Sequence, residues 1–183
     1  VSVIMPVRNA EKTLDRTLGT VLNQSYTNIV EIILAIGPSD DGTSVLAKEL
    51  GEIDPRIQIV ENKTGGTASG LNLASKMATG EYLVRVDSHC LLPKDYVDIG
   101  VKKIKETGAG NVGGVQMATG ESGFQSAVAT AMTSKFGVGN SQFHYGGPEG
   151  PVDTVYLGVF DAALFKDLGG FDEKLVRNQD YEL

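Results

Sequence analysis

Four short apolar runs, each separated from the next by a helix-length segment, constrain this chain more than any other feature. They read "VSVIMPV" (1–7), "VEIILAI" (30–36), "RIQIV" (56–60) and "EYLVRVD" (81–87). Between the first two, Leu14, Leu18, Val21 and Leu22 recur at helical spacing, and Asn9 is placed to cap that helix. The turn "IGPSDDGT" leads into a helix expected near Ser44 to Leu50, and a glycine-rich turn into another over Ala68 to Ala78. Strands alternating with helices through short turns predict an α/β fold, a mostly parallel central sheet with helices on both faces.

Beyond Asp87 the pattern loosens. A helix is expected near Lys94 to Glu106, then "NVGGVQM", then a helix near Gly123 to Phe136. "GVGNSQFHYGGPEGPVD" (137–153) is polar, glycine-rich and long for a connection inside one domain, which makes it a candidate binding loop. "TVYLGVF" reads as a further strand and "AALFKDLGG" as a short helix stopped at Gly169 or Gly170. The 183 residues suffice for one such domain with a core, and no repeat or linker divides them. The chain opens on a strand and closes inside helix-like "NQDYEL", so 1–183 is expected to be a single domain truncated at its C-terminus.

The formal net charge is −7 with no basic stripe, which argues against nucleic acid as a partner. A phosphate-bearing ligand remains compatible, because a metal ion can carry positive charge locally. One cysteine, Cys90, excludes an intrachain disulfide and fits a reducing compartment. The apolar runs are too short to span a membrane.

In open α/β sheets ligands gather beyond the carboxyl ends of the strands. The polar residues expected there are Arg8-Asn9, Ser39-Asp40-Asp41, Asn62-Lys63 and Asp87-Ser88-His89. Asp87 and His89 alternate on an extended backbone, so both can reach one ion. Carboxylate with imidazole suits Mn²⁺ better than Mg²⁺ or Ca²⁺. The plainer reading is a capping Asp followed by a surface His. At the far end, "GGFDE" (169–173) precedes "RNQDYEL" (177–183). Asp180 there is either a first-turn acid favoured by the helix dipole or a general base. His144 is either a surface loop residue or a further metal ligand or acceptor contact. Arg177 can pair with phosphate or with Glu173, and Cys90 reads as a small apolar packing residue.

"VSVIMPVRNAEKTLDRTLGTVLNQSY", a mid-chain strand ending in an Asp motif, and a late "GGFDE…QDYEL" occur in that order. Together they resemble family 2 glycosyltransferases of the GT-A (Rossmann-like) fold, over essentially the whole chain. The chain is most similar to bacterial exopolysaccharide enzymes of the succinoglycan type. The resemblance implies inverting transfer of a sugar from a nucleotide-sugar, a UDP-sugar first among the candidates, to a saccharide or lipid-linked saccharide acceptor. It implies a divalent metal, Mn²⁺ or Mg²⁺, and a cytoplasmic domain at the inner face of the membrane, attached through segments outside this chain.

The family's D-x-D motif falls on Asp87-Ser88-His89, its last Asp replaced by His. This variant also occurs in polypeptide N-acetylgalactosaminyltransferases, where Asp and His both bind Mn²⁺. The resemblance makes Asp180 the catalytic base, with Gln179 replacing the usual Glu. It places Asp87 and His89 at the metal, with His144 a further candidate ligand from its loop position, and Pro6, Arg8, Asn9, Gly37, Asn72, Asp87 and Ser88 at the nucleotide-sugar. Departures are concentrated at the base: Arg8 replaces a stacking aromatic, and Ile36 and Gly37 occupy acidic positions that recognise uracil. Arg8 can still stack by its guanidinium plane. The expected preference for UDP over other diphosphates is therefore modest. Gly70-Leu71-Asn72 stands where relatives carry a possible phosphate-binding Arg. A sugar nucleotidyltransferase would need a Gly-rich basic loop after the first strand, which "PVRNAEKTL" lacks. A non-catalytic nucleotide- or carbohydrate-binding domain is the other alternative, and the joint presence of Asp87, His89 and Asp180 argues against it.

Overall fold

Strand residues alternate between two cores, and that alternation places the helices that flank the sheet. The computed structural model describes residues 1–120, 122–133, 142–144 and 146–175. Its strands are β1 (Ser2–Val7), β2 (Glu31–Ile36), β3 (Ile57–Glu61), β4 (Tyr82–Arg85), β5 (Asn111–Gly114) and β6 (Tyr156–Asp161). The helices are α1 (Leu14–Leu22), α2 (Thr43–Ile53), α3 (Thr67–Met77), α4 (Tyr96–Thr107), α5 (Gly123–Met132) and α6 (Ala162–Asp167), with a 3-10 turn at Gln142–His144. Val3, Met5 and Val7 of β1 and Ile32, Leu34 and Ile36 of β2 share one core with Leu14, Leu18 and Val21 of α1, Ala47 of α2, and Val97, Val101 and Ile104 of α4. Ile4, Ile33 and Leu83 face the other way, into a second core with Ala68, Leu71 and Ala74 of α3 and with Phe160, Phe165 and Phe171. Each fully buried side chain of this size contributes about 1.5–3 kcal/mol relative to exposure.

The six strands form one sheet in the order β3-β2-β1-β4-β6-β5. β1 to β4 pair in parallel, as the alternation of strands and helices predicts. β6 departs from it, lying antiparallel to both β4 and β5. Its apolar run reads like a parallel core strand because burial on both faces, not direction, sets that composition. The short helix after it, α6, is capped by Asp161, whose side chain accepts from the Leu164 N–H at 2.9 Å.

Asn9 does not cap α1. It sits at φ 48°, and its side-chain oxygen accepts from the Asp40 N–H at 2.9 Å. α1 begins later, at Leu14, after a turn in which the Ala10 carbonyl accepts from the N–H groups of Thr13 and Leu14. The left-handed conformation that Asn tolerates turns the chain out of β1, and the side chain is drawn to the neighbouring loop. No helix among the described residues is long and apolar enough to cross a membrane.

Candidate donor and metal site

The loops after β1, β2 and β3 are bound to one another. Arg8 donates from Nε to the Pro38 carbonyl at 3.1 Å, and the Asn9 N–H donates to Ser39 Oγ at 3.1 Å. Asp41 accepts from the Thr43 N–H and hydroxyl and from the Glu11 N–H. These bonds, led by that from the Thr43 hydroxyl, hold its carboxyl below the usual range. A Cβ on Gly37 would stand 3.0 Å from the Cα of Gly65, so glycine is what lets the β2 and β3 loops meet beneath Arg8. Arg8 itself is exposed and lies over this junction, with Nη1 3.5 Å from where a Gly65 Cβ would sit. Pro6 is still inside β1, against α3: a Cβ on Gly70 would lie 3.3 Å from its Cβ.

Asn62 and Asn72 are turned inward. Asn62 donates to the Gly66 carbonyl and accepts from the hydroxyls of Thr64 and Ser69, closing the turn into α3. Asn72 holds the segment after α6: its amide donates to the Phe171 carbonyl at 2.8 Å and to Glu173 at 3.0 Å, and its oxygen accepts from the Phe171 N–H at 3.0 Å. Gly170 makes room for this clamp, at φ 76°, where a Cβ would fall 2.5 Å from Asn72 Oδ1.

Asp87, Ser88 and His89 follow β4. Ser88 is buried, and its carbonyl accepts from Thr17 Oγ1 of α1 at 3.1 Å, while the Cys90 N–H closes a turn onto the Asp87 carbonyl. This tight turn brings one ligand atom each of Asp87, His89 and Cys90 within 4.8 Å of one another, the only such group among the described residues. His89 is exposed, Asp87 half-buried and Cys90 buried. The Asp87 carboxylate and the His89 imidazole, open to solvent on the His89 side, make an oxygen and nitrogen donor pair that fits a divalent ion such as Mn²⁺, while the buried Cys90 thiol is engaged by Tyr156.

Two partners of this turn carry little signal in the sequence. Arg85, buried in β4, donates from Nε to Asp87 Oδ1 at 3.1 Å and from Nη2 to Oδ2 at 3.4 Å. Only the two-residue alternation of Arg85 and Asp87 in "RVD" points to the pairing. Tyr156 Oη lies 2.8 Å from Cys90 Sγ. Burial pushes both groups up, the phenol well above its ordinary range. The next residue, Leu157, has φ 47°, an outlier for a bulky side chain, and the Tyr96 hydroxyl donates to the carbonyls of both Tyr156 and Leu157. Burial pushes the Tyr96 phenol up to about 12.

His144 lies on the 3-10 turn with its ring 4.2 Å from that of Phe143, which stacks on Tyr156 at 6.1 Å. Its Nδ1 is buried without a hydrogen-bond partner among the described residues, and burial holds the imidazole below its ordinary pKa. It is not one of the three residues whose ligand atoms cluster at Asp87. Asp180, Gln179 and Arg177 lie outside the described residues.

The family model for glycosyl transferase family 2 matches residues 2–169. The succinoglycan biosynthesis protein ExoA of Rhizobium meliloti (strain 1021) is 30% identical over 184 residues, covering 99% of this chain and 56% of that protein. The chain therefore spans little more than half the length of that relative. Among solved structures, S. aureus TarS 1–349 matches with a TM-score of 0.73 at 22% identity, over 98% of this chain and 52% of that one. The mannosyltransferase PcManGT from Pyrobaculum calidifontis, in complex with GDP-Man and Mn²⁺, matches with a TM-score of 0.72 at 22% identity, over 95% and 48%. At that identity the likeness establishes the fold, and the sheet order and helix layers are those of the expected GT-A architecture. With the family model covering almost all of the sequence, the chain belongs to glycosyl transferase family 2.

Proposed function

We propose that this chain is a catalytic domain that transfers a sugar, with inversion, from a nucleoside-diphosphate sugar to a saccharide or lipid-linked saccharide hydroxyl in exopolysaccharide synthesis. The observation that carries this reading is the Asp87-Ser88-His89 turn at the carboxyl end of β4, where the donor groups of Asp87 and His89 converge. Ligands of open α/β sheets collect at that edge. The printed ligands of two structural neighbours, UDP-GlcNAc with TarS and GDP-Man with Mn²⁺ in PcManGT, support a nucleotide-sugar donor.

Asp87 and His89 would hold a divalent ion, Mn²⁺ or Mg²⁺. Such an ion supplies positive charge beside the departing diphosphate. Arg8, exposed over the joined loops, offers a guanidinium plane to the nucleotide base, with Pro6, Asn9 and Gly37 shaping the loop junction beneath it. Ser88 fixes the turn through its backbone. Asn72, whose amide is fully engaged, serves the donor site by holding the Phe171 segment rather than by touching the ligand. Asp180 is assigned the acceptor proton, and its carboxylate is the general base that inversion requires on that side. Attachment to the inner face of the membrane, through segments outside this chain, belongs to the same proposal.

The test is a donor-turnover assay with UDP- and GDP-sugars, with and without Mn²⁺, on wild type and Asp180→Asn. Turnover should need the metal, and Asp180→Asn should lower transfer by about a hundredfold or more while leaving donor binding in place. Metal-independent turnover, or full activity in Asp180→Asn, would contradict the assignment. Donor binding without any turnover would leave a binding domain instead.

A further inference from the structure

Arg85 is only 6% exposed, and its neighbours on the same strand face explain why it stays. Leu83, two residues earlier, points into the core formed by α3 and the phenylalanines, and Arg85 follows it by strand alternation. Its guanidinium carbon stands 5.9 Å from the centroid of the Phe171 ring. Phe171 is pinned by Asn72 through both its backbone groups. The guanidinium's seats include an aromatic face on one side and the Asp87 carboxylate on the other. The second seat is unevenly filled, at 3.1 Å on Oδ1 and 3.4 Å on Oδ2. A carboxylate offers about four lone-pair sites, so Oδ2 in particular keeps room for another cation.

We propose that Arg85 is a positioning residue that competes with the divalent ion for Asp87, so that the ion is taken up only together with a diphosphate. The inference rests on the assignment of Asp87 as a metal-holding residue. A fixed positive charge beside Asp87 repels an incoming divalent ion, and a diphosphate arriving with that ion cancels the repulsion. The planar fork also fixes the carboxylate's orientation, which a lysine ammonium cannot do. The cation–π seat on Phe171 keeps the guanidinium partnered when Asp87 turns toward the ion, so no buried charge is left alone. Metal-free protein would in this way resist adventitious cations.

The experiment is a Mn²⁺ titration followed by electron paramagnetic resonance of the free aquo ion, with and without UDP or GDP, on wild type, Arg85→Lys and Arg85→Met. Wild type should bind Mn²⁺ weakly alone and more tightly with the diphosphate. Arg85→Met should bind Mn²⁺ alone about tenfold more tightly than wild type, and Arg85→Lys, which keeps the charge, should stay within about threefold of it. A folded Arg85→Met protein that binds Mn²⁺ alone as weakly as wild type, or more weakly, overturns the proposal and leaves Arg85 as a strand-end brace. If Arg85→Met does not fold, Arg85→Gln removes the same charge while keeping a hydrogen-bonding head and decides the question. Wild type that binds no Mn²⁺ even with UDP or GDP removes the metal reading itself, a failure distinct from that of Arg85.

Discussion

Cys90 shows how a single residue is constrained from three sides. Its N–H closes the turn on Asp87, its sulfur meets the Tyr156 hydroxyl, and it is only 9% exposed. Burial pushes the thiol up and outweighs the opposing hydrogen bond from Tyr156. Since the thiolate is the reactive form, alkylation of native protein at about pH 8 should run at least about tenfold slower than that of free cysteine. Denaturant should abolish the difference. Alkylation of the native protein at the free-cysteine rate would show that the sulfur is not packed against Tyr156. At this scale the spacing of Asp87 and His89 is legible but the backbone that joins them is not: the expected extended alternation is replaced by a tight turn closed by the Cys90 N–H on the Asp87 carbonyl. The sequence is misleading at Asn9, because an Asn before a helical run reads equally as a cap or as a left-handed turn residue. It is nearly silent at Arg85, where an arginine inside an apolar run gives no sign of its partner beyond its alternation with Asp87. Asn72 lies in the expected motif, but its clamp on Phe171 spans 99 residues of sequence, and no local pattern encodes a bond of that range.

At the scale of elements, Glu31 does for the amino ends of the strands what the loops do for their carboxyl ends. It is 4% exposed at the start of β2, and one oxygen accepts from Ser2 Oγ of β1 at 2.6 Å and from the N–H and hydroxyl of Thr79. Its other oxygen accepts from Gln58 of β3 at 3.2 Å. Burial alone would raise this carboxyl, but the bonds from Ser2, Thr79 and Gln58 together hold it below the usual 4.5. The fold therefore prefers the charged form. The resulting stabilisation is complete above about pH 4.5 and is lost as pH falls through the lowered folded value. Glu31→Gln should cost about 1–3 kcal/mol near neutrality, and its gap to wild type should narrow in denaturant melts at about pH 3. A gap that stays constant with pH would mean that the carboxylate charge contributes nothing. Strand and helix positions were mostly legible because two-residue and helical periods hold through β4. The direction of β6 was not, since a strand buried on both faces carries the same residues whichever way it runs.

For the molecule as a whole, the division of labour is between two edges of one sheet: Glu31 ties three strands together at one edge, and the D-x-H turn stands at the other. The chain carries a formal charge of −7, so it cannot attract a diphosphate by its overall field. On the proposed reading positive charge is supplied locally, by Arg8 and by the cation that Asp87 and His89 would hold. Calorimetry tests this most directly, with UDP or GDP titrated into wild type and Asp87→Ala, each with Mn²⁺ and with chelator. The account predicts diphosphate binding by wild type that needs Mn²⁺ and weakens by at least about tenfold in Asp87→Ala, whose fold should persist. Equal affinity in chelator, or an unchanged affinity in Asp87→Ala, would contradict it.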